Sequence, residues 1–139
     1  MISKQLSIFV ENRKGRLEEV LNVLKENGVN ILSLSLADTT EYGILRLIVN
    51  DCNKGKEALT KSGFSTLLSD ILIIKISNIS GSLDATLKVL SKNDISVEYM
   101  YGLSVDGTKA SIVIKTNDIE KTDKIFSSNK IETIGIEEI

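Results

Sequence analysis

The sequence contains no histidine, no proline, no tryptophan and a single cysteine, Cys52. Without histidine the side chain that most often moves protons near neutral pH is missing. One cysteine excludes an internal disulfide. A metal site would have to be built from carboxylates, and no segment has the Asp-x-Asp-x-Asp-Gly spacing of a calcium loop, so neither metal nor cofactor is expected. Long apolar runs are also missing. The longest, Ile71–Ile74, is far short of the roughly 20 residues of a membrane span. The first six residues, Met-Ile-Ser-Lys-Gln-Leu, lack the apolar stretch of a secretory signal. A cytoplasmic protein without membrane contacts is the expectation. Finally, positive charge is not in surplus. Lys and Arg number 17 against 19 Asp and Glu, the net charge is −2, and no basic run occurs. A phosphate backbone is bound by a concentrated positive field, so a nucleic-acid partner is not expected.

What is present is a hydrophobic fraction of 42%, enough for a packed core, and a repeat. Shifting the 139-residue chain by 66 positions aligns Leu6 with Leu72, Ile8 with Ile74, Asn12 with Asn78 and Gly15 with Gly81. The same shift aligns Leu17, Leu21, Val23, Leu24 and Asn27 with Leu83, Leu87, Val89, Leu90 and Asn93. Further on the shift becomes 67, where Asn50-Asp51 meets Asn117-Asp118 and Phe64 meets Ile131. The extra residue is most simply placed in the second copy's hairpin, around 105–109, because turns tolerate insertions. Copy one then spans residues 1–69 and copy two 70–139. Only Ser69-Asp70 separates them, so the two units should abut.

Each copy reads as βαββαβ. In copy one, Lys4–Glu11 alternates as a strand, and Arg16–Asn27 places Leu17, Val20, Leu21 and Leu24 on one helical stripe. Strands over Val29–Ala37 and Tyr42–Asn50 follow, joined by a turn at Asp38–Glu41. A weaker helix over Asn53–Ser62 precedes a strand at Phe64–Leu68. Copy two repeats this with strands at Ile71–Ser77, Ser96–Ser104, Lys109–Thr116 and Ile131–Glu137 and helices at Ser82–Asn93 and Glu120–Ser127. The fold class is therefore α+β: two ferredoxin-like βαββαβ units, each an antiparallel sheet with helices on one face.

The segments Asn12-Arg13-Lys14-Gly15-Arg16-Leu17 and Asn78-Ile79-Ser80-Gly81-Ser82-Leu83 share a polar-x-x-Gly-x-Leu turn between first strand and first helix. Asn27-Gly28-Val29-Asn30-Ile31 and Asn93-Asp94-Ile95-Ser96-Val97 mark the helix end and next strand. In these features, over the whole chain, the sequence resembles tandem ACT domain proteins. It departs from their pattern in having Lys14 and Ser80 where proline is usual, and Asn12 and Asn78 where aspartate is frequent. The resemblance implies a regulatory module that binds an amino acid at a domain interface, with no catalysis. It also implies pairing of copies, and a homodimer is expected.

A physical reason for such binding is available in the residues. The turn feeds a helix N-terminus, where free N–H groups and the helix dipole favour a carboxylate. Asn12 adds an amide that both donates and accepts. Asn30, placed near the turn, would hold the ammonium. The candidate ligand-binding set is Asn12, Lys14, Gly15, Arg16, Leu17, Asn30 and Ile31 in copy one. In copy two it is Asn78, Ser80, Gly81, Ser82, Leu83, Ser96, Val97 and Tyr99. Asparagine and glycine are also the ordinary residues of turns, so a purely structural role for each is an equal alternative. The copies differ at the turn, with Ser82 for Arg16 and Ser96 for Asn30, which predicts two unequal sites.

Tyr99 and Tyr101 share one side of their strand, where they would line a pocket or lie half-buried in the sheet. Stacking on RNA is not expected, because the basic and glycine context of RNA-binding sheets is missing. Cys52 opens the second helix without partner residues and reads as a packing residue. With no nucleophile–base pair in view, an enzyme is disfavoured. The competing readings are an amino-acid sensor and a regulatory subunit that contacts a metabolic enzyme.

Overall fold

The computed structural model describes residues 1–38 and 41–139, and Asp38 by its backbone. Thr39 and Thr40, at the centre of the expected first hairpin turn, lie outside the described residues. The chain divides into two compact units, Lys4–Ser69 and Asp70–Ile139, the second joined by Met1–Ser3.

The first unit contains β1 (Ile2–Glu11), α1 (Arg16–Glu26), β2 (Ile31–Asp38), β3 (Tyr42–Val49), α2 (Cys52–Lys61) and the opening residues of β4 (Ser65–Ser77). Its sheet is antiparallel, with β3 between β1 and the outer strand β2. Alternation decides which side is buried. Leu6, Ile8 and Val10 of β1 and Leu45, Leu47 and Val49 of β3 point to one face, where they meet Val20 and Leu24 of α1 and Leu59 of α2. Leu17, Val23 and Cys52 pack at the margin of this core. Leu21, expected in the helical stripe, is 37% exposed and sits at the edge of that stripe. Gly55 of α2 faces the core so closely that a Cβ would lie 3.1 Å from Leu6 and 3.4 Å from Leu24.

The second unit repeats the plan with the remainder of β4, α3 (Ser82–Lys92), β5 (Val97–Asp106), β6 (Lys109–Thr116), α4 (Ile119–Ser128) and β7 (Glu132–Ile134). Here β4 lies between β6 and β7, and β5 is the outer strand. Its core joins Leu72 and Ile74 to Leu90, Ile114, Ile125 and Phe126. The ferredoxin-like expectation holds in both units.

Three details differ from the sequence reading. The strands expected at Phe64–Leu68 and Ile71–Ser77 are one strand, β4. Ser69-Asp70 carries no turn-forming glycine or proline, and extended backbone runs through it. The final strand is shorter than expected, because Gly135 accepts from the Glu138 N–H and starts a 3-10 turn over Ile136–Glu138. The inserted residue of copy two is not in the hairpin turn. Asp106 pairs with Lys109, which leaves a two-residue turn, whereas the register slips between Gly102 and Ser104. Leu103 is therefore the extra residue, absorbed as a β-bulge inside β5. The bulge at Ile31/Ser33 in copy one has its counterpart at Val97/Tyr99, and the second slip has no counterpart in β2.

The burial pattern makes a direct prediction. Leu24→Ala, at a position 1% exposed, is expected to lower stability by about 2–5 kcal/mol. Leu21→Ala on the rim of the same helix should cost less than about 1 kcal/mol. Chemical denaturation of the two variants checks this, and equal losses would contradict the assigned core.

Candidate functional site

The turn between β1 and α1 is a backbone device. Gly15 adopts φ +87°, a left-handed conformation that a side chain disfavours, and serves as the N-cap of α1 without a side-chain hydrogen bond. The first-turn N–H groups thus have no side-chain cap, and the helix end stays receptive to an anion. Copy two reproduces this with Gly81 at φ +88°. The bonds around the turn repeat as well. The Asn12 N–H donates to Glu41 O at 3.0 Å, and the Asn78 N–H to Thr108 O at 2.7 Å.

Beside the first turn lies a cavity of about 370 Å³ lined by Val10, Glu11, Asn12, Arg13, Leu17, Leu36 and Gly43. It is reached from four elements. Val10 and Glu11 end β1, Leu17 belongs to the first turn of α1, and Leu36 and Gly43 lie on the paired strands β2 and β3. Gly43 forms part of the wall, since a Cβ there would sit 3.2 Å from Leu36 Cδ1. Leu36 is half exposed. Arg13 and Glu11 form an ion pair at 3.2 Å with both side chains more than half exposed, so a charge of each sign stands beside an apolar wall.

Of the copy-one candidates, Asn12 and Leu17 line this cavity. Gly15 shapes the turn, and Lys14 is exposed beside it. Arg16 turns elsewhere. Its guanidinium lies 4.3 Å from the centre of the Phe64 ring and pairs with Glu19, while its Nε is buried without a hydrogen-bond partner. This is a packing role, a cation over an aromatic face.

Asn30 and Ile31 are not near the turn. Val10, at the cavity, pairs with Gly43, whereas Ile31 pairs with Val49. Six strand residues separate those positions, about 20 Å at 3.3 Å each. The Asn30 N–H donates to Asn50 Oδ1 at 2.9 Å, a clamp between the strand ends. The expectation that Asn30 approaches the turn failed because α1 lies between them, and its 11 residues carry the chain about 16 Å, at 1.5 Å each, to the opposite end of the sheet before β2 begins.

Copy two is arranged differently. Asn78 Nδ2 donates to Gly107 O at 3.4 Å, tying the turn to the β5–β6 hairpin. Ser80 is exposed and Leu83 half-buried. Ser96 and Val97 occupy the far end, where the Ser96 N–H donates to Asn117 Oδ1 at 3.0 Å. Tyr99 pairs with Lys115 and Tyr101 with Val113, away from the Ile114-bearing helix side, and both are half-buried sheet residues. The shallow cavity of about 370 Å³ at the β5–β6 hairpin is lined by residues such as Gly102, Val105 and Ala110, and by none of the turn.

Glu11, Arg13, Leu36 and Gly43 line the cavity without belonging to the candidate set read from the sequence. A signal existed for Gly43, a glycine inside an otherwise apolar strand, which often marks a close approach. On α3 the Lys88 ammonium donates to Asp84, which raises the Lys88 pKa above its ordinary value, but the pair is fully exposed. Among the described residues, no cluster of His, Cys, Asp and Glu could hold a metal ion.

Comparison with known proteins agrees with this architecture. No curated protein matches the sequence. A crystal structure of a Bacteroides thetaiotaomicron protein is 35% identical, covers 96% of this chain and 92% of its own, and superposes with a TM-score of 0.91. The regulatory subunit of aspartate kinase from Thermus thermophilus, in ligand-free form, shares the fold at 14% identity, with coverages of 90% and 91% and a TM-score of 0.62. That of Thermus flavus does so at 14% identity, with 88% and 86% coverage and a TM-score of 0.64. No helix among the described residues is long and apolar enough to cross a membrane. The family model for an ACT domain pair matches residues 1–139, and with the two glycine-capped βαββαβ units this makes the chain a member of the ACT domain pair family.

Proposed function

We propose that the protein is a non-catalytic regulatory module that binds an amino acid in the cavity beside the first β1–α1 turn. The observation that carries this reading is the composition of that cavity. At about 370 Å³ it is within the range of small-ligand sites. Val10, Leu17 and Leu36 offer an apolar wall for an aliphatic side chain. Asn12 offers an amide, and the exposed Glu11–Arg13 pair supplies a carboxylate for an ammonium and a guanidinium for a carboxylate. A zwitterion satisfies both without leaving a net charge. Asn12, Leu17 and the helix end set up by Gly15 remain in this site. Arg16, Asn30 and Ile31 hold the fold around it. The copy-two set, Asn78, Ser80, Gly81, Ser82, Leu83, Ser96, Val97 and Tyr99, does not assemble around an equivalent cavity, so copy one is the working site.

A second reading has its own observation. Leu34 and Leu36 are 55% and 50% exposed on the outer strand β2, and such strand edges invite pairing. The Thermus relatives are regulatory subunits of an enzyme. Contact with a metabolic enzyme, or with a second copy in a cytoplasmic homodimer, would cover this strand.

Calorimetry against the twenty amino acids tests the first reading. At least one aliphatic amino acid should bind at millimolar concentration or tighter, and no heat with any of them would refute the proposal. Asn12→Ala is expected to weaken that binding about tenfold, the equivalent of 1.4 kcal/mol, whereas Asn30→Ala should leave affinity within about twofold.

A separate check is Gly43→Ala, which copies Ala110 of the second unit and narrows the cavity against Leu36. Affinity should drop severalfold with little change in melting temperature. Unchanged affinity would move the ligand away from the β2–β3 wall.

A further inference from the structure

The two copies diverge together at four positions of the sheet face turned away from the helices. In copy one, Phe9 of β1 and Ala37 of β2 lie across from Ile44 of β3 on either side, and Tyr42 lies across from Glu11. Phe9 and Ile44 alternate with the core residues Ile8, Val10 and Leu45, so this row points to the opposite face. Phe9 is 44% exposed and Tyr42 51%, Ala37 is exposed and Ile44 half-buried. Together they make an apolar patch with two rings. The equivalent positions of copy two are Lys75, Ser104, Ser111 and Lys109. Their register is the same, with Lys75 and Ser104 across from Ser111 on either side, and Lys109 across from Ser77. Every member of the patch has become polar, and both aromatic residues have become lysine.

The second unit shows that this frame folds with polar residues at these places. The rings of the first unit are therefore not required by the fold, and an exposed apolar patch on one unit alone points to a partner. The chain itself carries a complementary surface. In each unit the two positions are diagonal neighbours across paired strands, about 7–8 Å apart. The ammonium groups of Lys75 and Lys109 are thus spaced as the rings of Phe9 and Tyr42 are. An ammonium is attracted to a ring face, and a lysine stem covers apolar surface while its head stays in water. Glu132 stands across from Lys75 and Asp106 across from Lys109, yet among the described residues neither lysine closes an ion pair. On the patch, Glu11 beside Tyr42 adds a carboxylate.

We propose that a second copy of this chain docks on the patch, with Lys75 and Lys109 of one molecule over Phe9 and Tyr42 of the other. Each chain carries one patch and one lysine pair, so a twofold axis makes the contact twice, as an isologous dimer requires. This places the self-association surface on the face away from the helices and not on the β2 edge, whose Leu34 and Leu36 stand across from the core residues Leu47 and Leu45 on the helix side. The surface is separate from the amino-acid cavity and does not depend on that assignment.

Sedimentation equilibrium of the full chain, with the melting temperature of each variant followed alongside, tests this. The unaltered chain should form a dimer. Phe9→Lys/Tyr42→Lys, which sets lysines against lysines and copies residues the second unit already folds with, should raise the dissociation constant at least about tenfold. Lys75→Glu/Lys109→Glu should do the same by setting carboxylates against the rings. All four substitutions together oppose lysines with glutamates and should restore the dimer in a salt-sensitive form. Leu34→Lys/Leu36→Lys on the β2 edge should leave it intact. A chain that stays monomeric at every concentration would overturn the proposal, and so would a dimer indifferent to Phe9→Lys/Tyr42→Lys. A folded four-residue variant that remains monomeric, or dissociation by the β2 variant alone, would overturn it equally.

Discussion

The left-handed glycine between first strand and first helix is the constraint on which both units depend. β1 must hand the chain to a helix lying on one face of its own sheet, and four residues are available for the reversal. Gly15 and Gly81 make it by adopting φ +87° and +88°, where an L side chain would cost about 1–2 kcal/mol. Because the cap is a glycine, no side-chain oxygen closes the helix end. The same choice that lets α1 dock its Val20 and Leu24 onto Leu6 and Ile8 thus leaves a receptive N-terminus next to the core. Fold and candidate site share one backbone decision.

The cores show how strict the repeat is beneath variable detail. Val20 and Leu24 in copy one correspond to Thr86 and Leu90 in copy two, and Gly55 corresponds to Thr122. Gly55 lets α2 press against Leu6 and Leu24. Thr122, fully buried, instead bonds its hydroxyl to Thr116 at 2.8 Å and to Asp118 O at 2.7 Å. A hydroxyl is tolerated there because its hydrogen bonds are satisfied within the local helix and adjacent strand. Two solutions to the same packing problem keep the same helix position.

The fold was legible in the sequence because it rests on local signals: alternation in strands, helical spacing of leucines, glycine at the turns, and their recurrence at a nearly constant shift. The exceptions have physical causes. Ser69-Asp70 reads as a boundary, yet nothing in two polar residues breaks a strand. The inserted Leu103 sits in a bulge, because β5 is an outer strand with a free edge to absorb it. The site was less legible. Asn12 and Leu17 could be named from the turn alone, but Leu36 and Gly43 reach the cavity only through the β2–β3 register. Asn30 lies at the far end of the sheet because α1 carries the chain there before β2 begins. The packing of Arg16 on Phe64 was not legible, because the ring lies 48 residues away in sequence.

Divergence between the copies is informative because it is coordinated. A lone change of Arg16 to serine would leave a phenylalanine face bare, and a lone change of Phe64 to isoleucine would leave a guanidinium without its ring. The second copy has both changes, and beside them a lysine replaces the left-handed glycine at a cost of about 1–2 kcal/mol. Neutral drift in a loop does not favour a strained residue over the unstrained one that the sister copy keeps. Meanwhile the wall residue Gly43 of copy one is Ala110 in copy two, and Leu36 is Gly102, so the apolar cavity is not rebuilt there. Copy one is open beside its helix N-terminus toward the outer strand, with an apolar wall, and copy two lacks that wall. Duplication supplies the repeated frame, and the coordinated pairs are where the units acquired distinct chemistry.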